Sequence, residues 1–374
     1  GDVAQQYQTD GSYYQLPWKS NPVMIFYNKD LFDKAGLDPE DPKLSSYADF
    51  LATATKLKDS KAAKYAIYPA PTSEFFQIQF DFIPLYAAES GGKQIVEDGK
   101  ATFNDPAGVA VAEFWKSIYS QGLAGKEKLQ GDPFADKVSA MAIVGPWAIA
   151  VYKNIDWGAV PVPTSQGKPA AETYTFSDAK NIGLYTACQN QGTAWDVLKF
   201  ATSPEQDEAL LTKTGQMPIR KDLPTTYADY FTKNPAYEQF ADQAARTVEV
   251  PNVPNSIEMW QTFRTAYSES VIFGSSRFVN TKWPRWLVPR CSSKPSAVCR
   301  RGAAITPALL ISTSMWPPPS VRALSRNVAN DSLSLTSSGY PETFPSLPNS
   351  ATADSSTPTS RSPMTTRAPR ASSA

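Results

Sequence analysis

Three tryptophans stand at loop-to-helix junctions: Trp18, Trp147 and Trp260. An indole face offers flat apolar area and a negative quadrupole, which suits the slightly positive C–H face of a pyranose. Each sugar hydroxyl is both donor and acceptor, so such a site also needs planar polar groups of the Asp, Glu, Asn, Arg or Lys kind. Trp260 is followed by Gln261 and Arg264, and one helical turn puts Trp260, Arg264 and Tyr267 on one face. Trp147 directly follows Gly145-Pro146, at the first turn of a helix behind a buried strand. In α/β sheets ligands gather there, outside the carboxyl ends of the strands. A lone tryptophan is more often a core residue than a contact residue. Trp115, in the middle of an apolar helix stripe, is assigned to the core.

Other chemistries fare worse. The chain has no histidine, which removes the commonest general base and metal ligand. The cysteines are Cys188, Cys291 and Cys299, and one thiol in the patterned region builds neither a disulfide nor a zinc site. A glycosidase needs two carboxylates facing each other across the sugar. Glu74, Asp178 and Glu258 are available, but no spacing pairs them. Tyr13-Tyr14 could suggest iron ligation, but on a strand the two rings point to opposite faces. No cofactor is expected. Lys+Arg and Asp+Glu are 36 each; the tail from residue 277 holds 12 basic and 3 acidic residues, leaving 24 against 33, or −9, before it. That acidity argues against nucleic acid as a partner. No run of about 18 apolar residues spans a membrane.

The elements that must position these residues alternate between strand and helix. Strands are expected at 13–16, 23–27, 65–68, 140–144, 157–162 and 181–187. Helices are expected at 30–35, from Ser46 with Asp49 as capping partner, at 74–88, from Asn104-Asp105-Pro106, at 192–201, from the capping box Ser203-Pro204-Glu205-Gln206, on either side of Asn234-Pro235, and at 256–272. The apolar face of the fourth of these is Val109, Ala112, Trp115 and Ile118. The alternation implies an α/β architecture with helices on the sheet faces. From residue 277 to 374 the chain is rich in Ser, Pro, Arg and Thr and loses hydrophobic period. It reads as a disordered or stalk-like tail, or, in the sharper expectation, as an out-of-frame extension.

Four motifs, in order and spacing, resemble the extracellular (periplasmic) solute-binding proteins of carbohydrate ABC transporters, of the maltose/trehalose-binding type. They are Leu16-Pro17 leading to Tyr27-Asn28-Lys29-Asp30-Leu31-Phe32; Ala140-Met141-Ala142-Ile143-Val144-Gly145-Pro146-Trp147-Ala148; Gly215-Gln216-Met217-Pro218-Ile219-Arg220; and Val250-Pro251-Asn252-Val253-Pro254 leading to Trp260-Gln261-Thr262-Phe263-Arg264. The resemblance implies a two-lobed periplasmic-binding-protein fold (type II) with sugar held between the lobes. It implies capture rather than catalysis, with a permease reading the closed form and an extracytoplasmic location. It further implies that Trp147 and Trp260 stack on the sugar. Asn21 takes a polar position that is often acidic in maltose binders, and Asp178 and Lys180 add polar contacts. Trp18, Glu74, Phe75 and Arg264 complete the ligand-binding candidates.

The crossing motif lies near residue 20, earlier than in the family. The sequence is therefore expected to hold a remnant of lobe 1 at 1–20, lobe 2 at 21–185, a returning part of lobe 1 at 186–235, lobe 2 helices at 236–276 and the tail at 277–374. On that expectation lobe 1 is incomplete, the chain as given binds sugar weakly, a lipid anchor is its sole membrane attachment, and it is a monomer. The competing readings are a secreted glycosidase and a non-catalytic envelope protein that binds another small solute.

Overall fold

The run Met24–Asn28 is buried at all five positions, a pattern that a strand covered on both faces produces. It is the second strand of the computed structural model, which describes residues 16–274 apart from Ser73, Asp98, Asn252, Pro254 and Asn255. Tyr13-Tyr14, the tail from residue 277 and Cys291 and Cys299 lie outside the described residues. The strands are β1 Leu16–Lys19, β2 Met24–Asn28, β3 Tyr65–Ile67, β4 Val96–Glu97, β5 Lys100–Ala101, β6 Ser139–Val144, β7 Trp157–Val160, β8 Thr175–Phe176, β9 Lys180–Ile182 and β10 Thr247–Val248.

Four of them form one sheet in the order β3-β6-β2-β7. β2 runs antiparallel to both neighbours, with Ile25 opposite Ile143 on β6 and Val160 on β7. β3 is parallel to β6. The period of two along β2 sorts its side chains between two cores. Ile25 and Tyr27 join a large cluster with Phe50, Leu85, Trp115 and Phe263. Met24 and Phe26 point the other way, to Phe134, Tyr152 and Phe240. Each large apolar side chain fully buried in this manner contributes roughly 1.5–3 kcal/mol. A third cluster, around Leu211, Met217, Leu223, Phe231 and Tyr237, sits behind the later helices.

Helix starts follow their capping chemistry. Asn28 Oδ1 accepts from Leu31 N at 3.0 Å and opens Lys29–Lys34. Ser46 accepts from Asp49 N at 3.0 Å and donates to its carboxylate at 2.6 Å, opening Tyr47–Asp59. Asp105 caps Pro106–Ser120 through Gly108 N at 2.9 Å, with proline at the first position.

Several expectations need correction. The single helix at 74–88 is two pieces, a 3₁₀ turn Phe75–Gln79 and a helix Phe82–Ser90 capped by Asp81. Pro84 has no N–H for an α-helical bond to Phe80, so a continuous helix would be broken there; as the third residue of a new helix it costs nothing. The buried stripe of Pro106–Ser120 is Gly108, Val111, Phe114, Trp115, Ile118 and Tyr119, so Val109 and Ala112 lie beside it. The strand at 181–187 shortens to Lys180–Ile182. Ser203 precedes Pro204–Thr214, but its hydroxyl makes no capping bond.

Among the described residues three short pairings lie outside the main sheet, one of them the antiparallel β4–β5 hairpin. β1 runs antiparallel to β9, and β8 runs parallel to β10. Helix Gln191–Ala201, which follows β9, has no buried residue among its eleven.

Candidate functional site

The β1–β9 and β8–β10 pairings bring three chain segments side by side, around residues 16–23, 175–182 and 215–218. Ser20 N donates to Met217 O at 3.0 Å, Val23 N to Phe176 O at 3.0 Å, and Asp178 N to Asn21 O at 2.9 Å. Side chains bind the same segments. Asn21, 1% exposed, accepts from Met217 N at 3.1 Å and donates to Gln216 Oε1 at 2.7 Å. Both ends of its carboxamide are therefore held by protein. Lys19 Nζ donates to the same Gln216 oxygen at 3.0 Å. The Ser20 and Ser177 hydroxyls share a bond of 2.6 Å. Lys180 forms an ion pair with the buried Asp178 carboxylate. Lys19 Nζ also lies 5.2 Å from the centroid of the half-buried Trp18 ring, in cation–π range.

Glycines set the approach to this crossing. Gly215 closes helix Pro204–Thr214 in the left-handed region, φ +68°; a Cβ there would lie 2.3 Å from the Tyr237 hydroxyl and 3.3 Å from Pro146 O. The Gly215-Gln216 turn thus presses against the Gly145-Pro146-Trp147 turn. At Gly145 a Cβ would meet the Trp147 ring at 2.2 Å, so the indole lies close against the turn that carries it and leaves no room for a side chain there. Trp147 keeps part of its surface open, and Phe80 meets it edge-on at 6.4 Å and 88°. Phe80 in turn meets Phe176 edge-on at 6.3 Å.

A second group forms behind Phe80. The 3₁₀ turn Phe75–Gln79 packs on helix Ser256–Tyr267. Arg264, wholly buried, donates to Thr72 O at 2.8 Å and Ala70 O at 3.1 Å and forms an ion pair with the equally buried Asp81. Asp81 also accepts from Phe82 N at 2.7 Å, and its carbonyl receives Trp115 Nε1 at 3.0 Å. Burial pushes the Asp81 carboxyl above its ordinary value, against the pull of Arg264. Burial also pushes the Tyr119 and Tyr267 hydroxyls beside this pair well up. Trp260 is 3% exposed and belongs to the large core cluster.

The fold therefore brings Trp18, Asn21, Asp178 and Lys180 together at the crossing, with Trp147 adjoining them through Pro146 and Gly215. Glu74, Phe75, Trp260 and Arg264 form the other group, joined to the first by Phe80 against Trp147. Glu74 is exposed at the head of its 3₁₀ turn, and Phe75 is partly buried. Sequence reasoning missed Lys19, Gln216, Phe80 and Asp81. Gln216 lies inside a quoted motif, directly after a left-handed glycine, which is the signal that could have found it. Asp81 carries no such signal, because its partner stands 183 residues away.

A separate cavity of about 630 Å³ is lined by Met24, Pro161, Gln239, Asp242 and Arg246 among others. None of the candidates above lines it. Of the carboxylates weighed for glycosidase chemistry, Asp178 is held by Lys180, and Glu74 and Glu258 are exposed. Among the described residues no cluster of three metal-ligating side chains occurs.

Comparison with known proteins gives three kinds of likeness. The family model for bacterial extracellular solute-binding proteins matches residues 1–239. The maltodextrin-binding protein MdxE of Bacillus subtilis is 25% identical over 285 residues, covering 73% of this chain and 64% of that protein. The sn-glycerol-3-phosphate-binding periplasmic protein UgpB of Escherichia coli is 26% identical over 257 residues, covering 63% and 55%. The chain thus spans little more than half the length of such relatives. The crystal structure of an uncharacterised protein of Listeria monocytogenes superposes with a TM-score of 0.61 at 25% identity, over 72% of this chain and 70% of that one. The sugar-binding protein MalE of Xanthomonas citri superposes with a TM-score of 0.59 at 19% identity, over 74% of this chain and 70% of that one, and the expected α/β architecture of the two-lobed, type II periplasmic kind agrees with these two neighbours.

Proposed function

The chain belongs to the bacterial extracellular solute-binding protein family, and from that premise we propose that it captures a polyhydroxylated solute, a sugar or oligosaccharide, for an ABC import system outside the cytoplasm. The observation that carries this reading is the crossing itself. A partly open indole, Trp147, stands beside a knot of amide, carboxylate, ammonium and hydroxyl groups on three crossing segments. Stacking on Trp147 supplies apolar area, and Asp178, Lys180 and Gln216 supply planar or charged partners for hydroxyls. Glu74 and Phe75 form the neighbouring wall, with Trp260 and Arg264 buried in the core behind it, so the stacking face expected of Trp260 falls to Trp147 alone.

The mechanism is a shift of population. Segments 16–23, 175–182 and 215–218 act as the hinge between two lobes, and a solute that touches both favours the closed form. A permease recognises that form. The related proteins' names support a hydroxyl-rich ligand: maltodextrin for one, a phosphorylated polyol for another. Capture without turnover separates this reading from a glycosidase.

Thermal unfolding in the presence of maltose or maltodextrins tests it. A ligand at about 100 times its Kd stabilises the folded state by roughly 2.7 kcal/mol. The expected result is a saturable rise in Tm with no release of reducing sugar. Replacing Trp147 with Ala should weaken binding by about tenfold or more, corresponding to the loss of roughly 1.5 kcal/mol of stacking. Release of reducing sugar, or a Trp147→Ala variant that binds as well as the parent, counts against the assignment.

A further inference from the structure

Lys19 on β1 and Lys180 on β9 are direct cross-strand partners. Like charges placed opposite one another destabilise a strand pair. One carboxylate, Asp178, acts on both: it is in ion-pair contact with Lys180 and raises the proton affinity of Lys19 from farther away. Lys19 instead donates to a neutral amide oxygen, Gln216 Oε1, and meets no carboxylate at ion-pair distance among the described residues. Its ammonium is partly buried; burial lowers its proton affinity, Asp178 raises it and Lys180 lowers it further. The pair is not part of a generally basic surface, because residues 1–276 carry 24 basic and 33 acidic side chains. A surplus positive charge has been placed inside an acidic protein, beside the Trp18 ring and close to the Ser20 and Ser177 hydroxyls.

We propose that the crossing receives an anionic group of the solute, the oxyanion of an acidic sugar, between Lys19 and Lys180. The inference rests on the reading of this site as a sugar receptor and narrows its ligand class. An oxyanion placed there would balance the one positive charge that Asp178 leaves over and give Lys19 an anion at ion-pair distance. Hydrogen bonds to charged groups are stronger than neutral ones, so the acidic group would be the part of the solute most strongly held. Trp18 and Trp147 would then face the ring to which it is attached.

The test titrates the full chain, at low ionic strength, with maltose, maltobionate and maltose 1-phosphate. These share a glucosyl unit and differ in bearing no anion, a carboxylate or a phosphate. At least one acid is expected to bind about tenfold more tightly than maltose, with the advantage shrinking as salt is raised. Which acid gains the advantage identifies the source of the oxyanion. Lys19→Gln keeps a donor for Gln216 and removes the charge; whatever it does to maltose binding itself, it should cut the advantage, read as the ratio of acid to maltose affinity in the same variant, to less than about threefold. Lys180→Gln provides a second variant should the first fold poorly. Equal affinity for the three probes, or an advantage that survives in both variants, overturns the anionic subsite and leaves sugar capture standing. Binding of none of the three overturns both.

Discussion

Arg264 shows how one side chain can have two readings. Its place one turn after Trp260 reads as a ligand contact, yet its guanidinium serves Thr72 O, Ala70 O and Asp81. Those bonds fasten the 70–72 loop, which leads into Glu74 and Phe75, to the helix that carries Trp260. Removing one partner of a buried ion pair leaves an uncompensated charge and costs about 3–5 kcal/mol. Asp81→Ala should therefore lower the urea midpoint severely. Asp81→Leu combined with Arg264→Met should recover much of that loss in the same measurement, because paired apolar replacements avoid the stranded charge. Asn21 is similar in kind. Its type and position were legible in the sequence, but its two bonds to residues 216 and 217 were not, since their partners lie 195 and 196 residues away. Trp147 was the better read, because a Gly-Pro turn behind a buried strand constrains its place locally.

Elements were legible where local chemistry decides them. Caps at Asn28, Ser46 and Asp105, and proline at the head of Pro106–Ser120, lie where the side chains put them. Strand ends were less legible: the expected strand at 181–187 is a strand only as far as Ile182, which stands opposite Leu16, the first described residue of β1. The break at Asp81 depended on weighing Pro84 against an apolar run that looked continuous. Strand β3 carries a prediction of its own. Tyr65, its first residue, and the preceding Lys64 both bond Glu127, and these bonds hold the Glu127 carboxyl down at about 2 against an ordinary 4.5. A depressed carboxyl adds stability above its unfolded value, and that stability is lost as pH falls through the folded one. The urea midpoint should therefore decline between pH 4.5 and about 2. In Glu127→Gln the decline should be shallower, with stability already reduced at neutral pH; an identical pH profile in the two proteins would contradict this role.

On the scale of the whole molecule, apolar exposure is uneven. Leu184, Tyr185, Trp195, Val197 and Phe200 are 36%, 77%, 43%, 58% and 65% exposed, and they fall within a short stretch after β9. Asp196 and Lys199 pair along the same helix at 2.8 Å, so this pair adds no net charge to the stretch. Contiguous exposed apolar surface promotes association. The expected monomer therefore meets its strongest challenge here. Light scattering over a concentration series should show association, and Trp195→Lys with Phe200→Lys should reduce it; a strictly monomeric parent protein would remove the challenge. The other feature that reaches across the molecule is smaller, a single oxygen atom. Gln216 Oε1 takes its bonds from both Lys19 and Asn21, so swinging that one side chain away severs two tethers in the same instant. A joint built in this way behaves less like a spring, yielding in proportion to load, than like a catch that is either set or released.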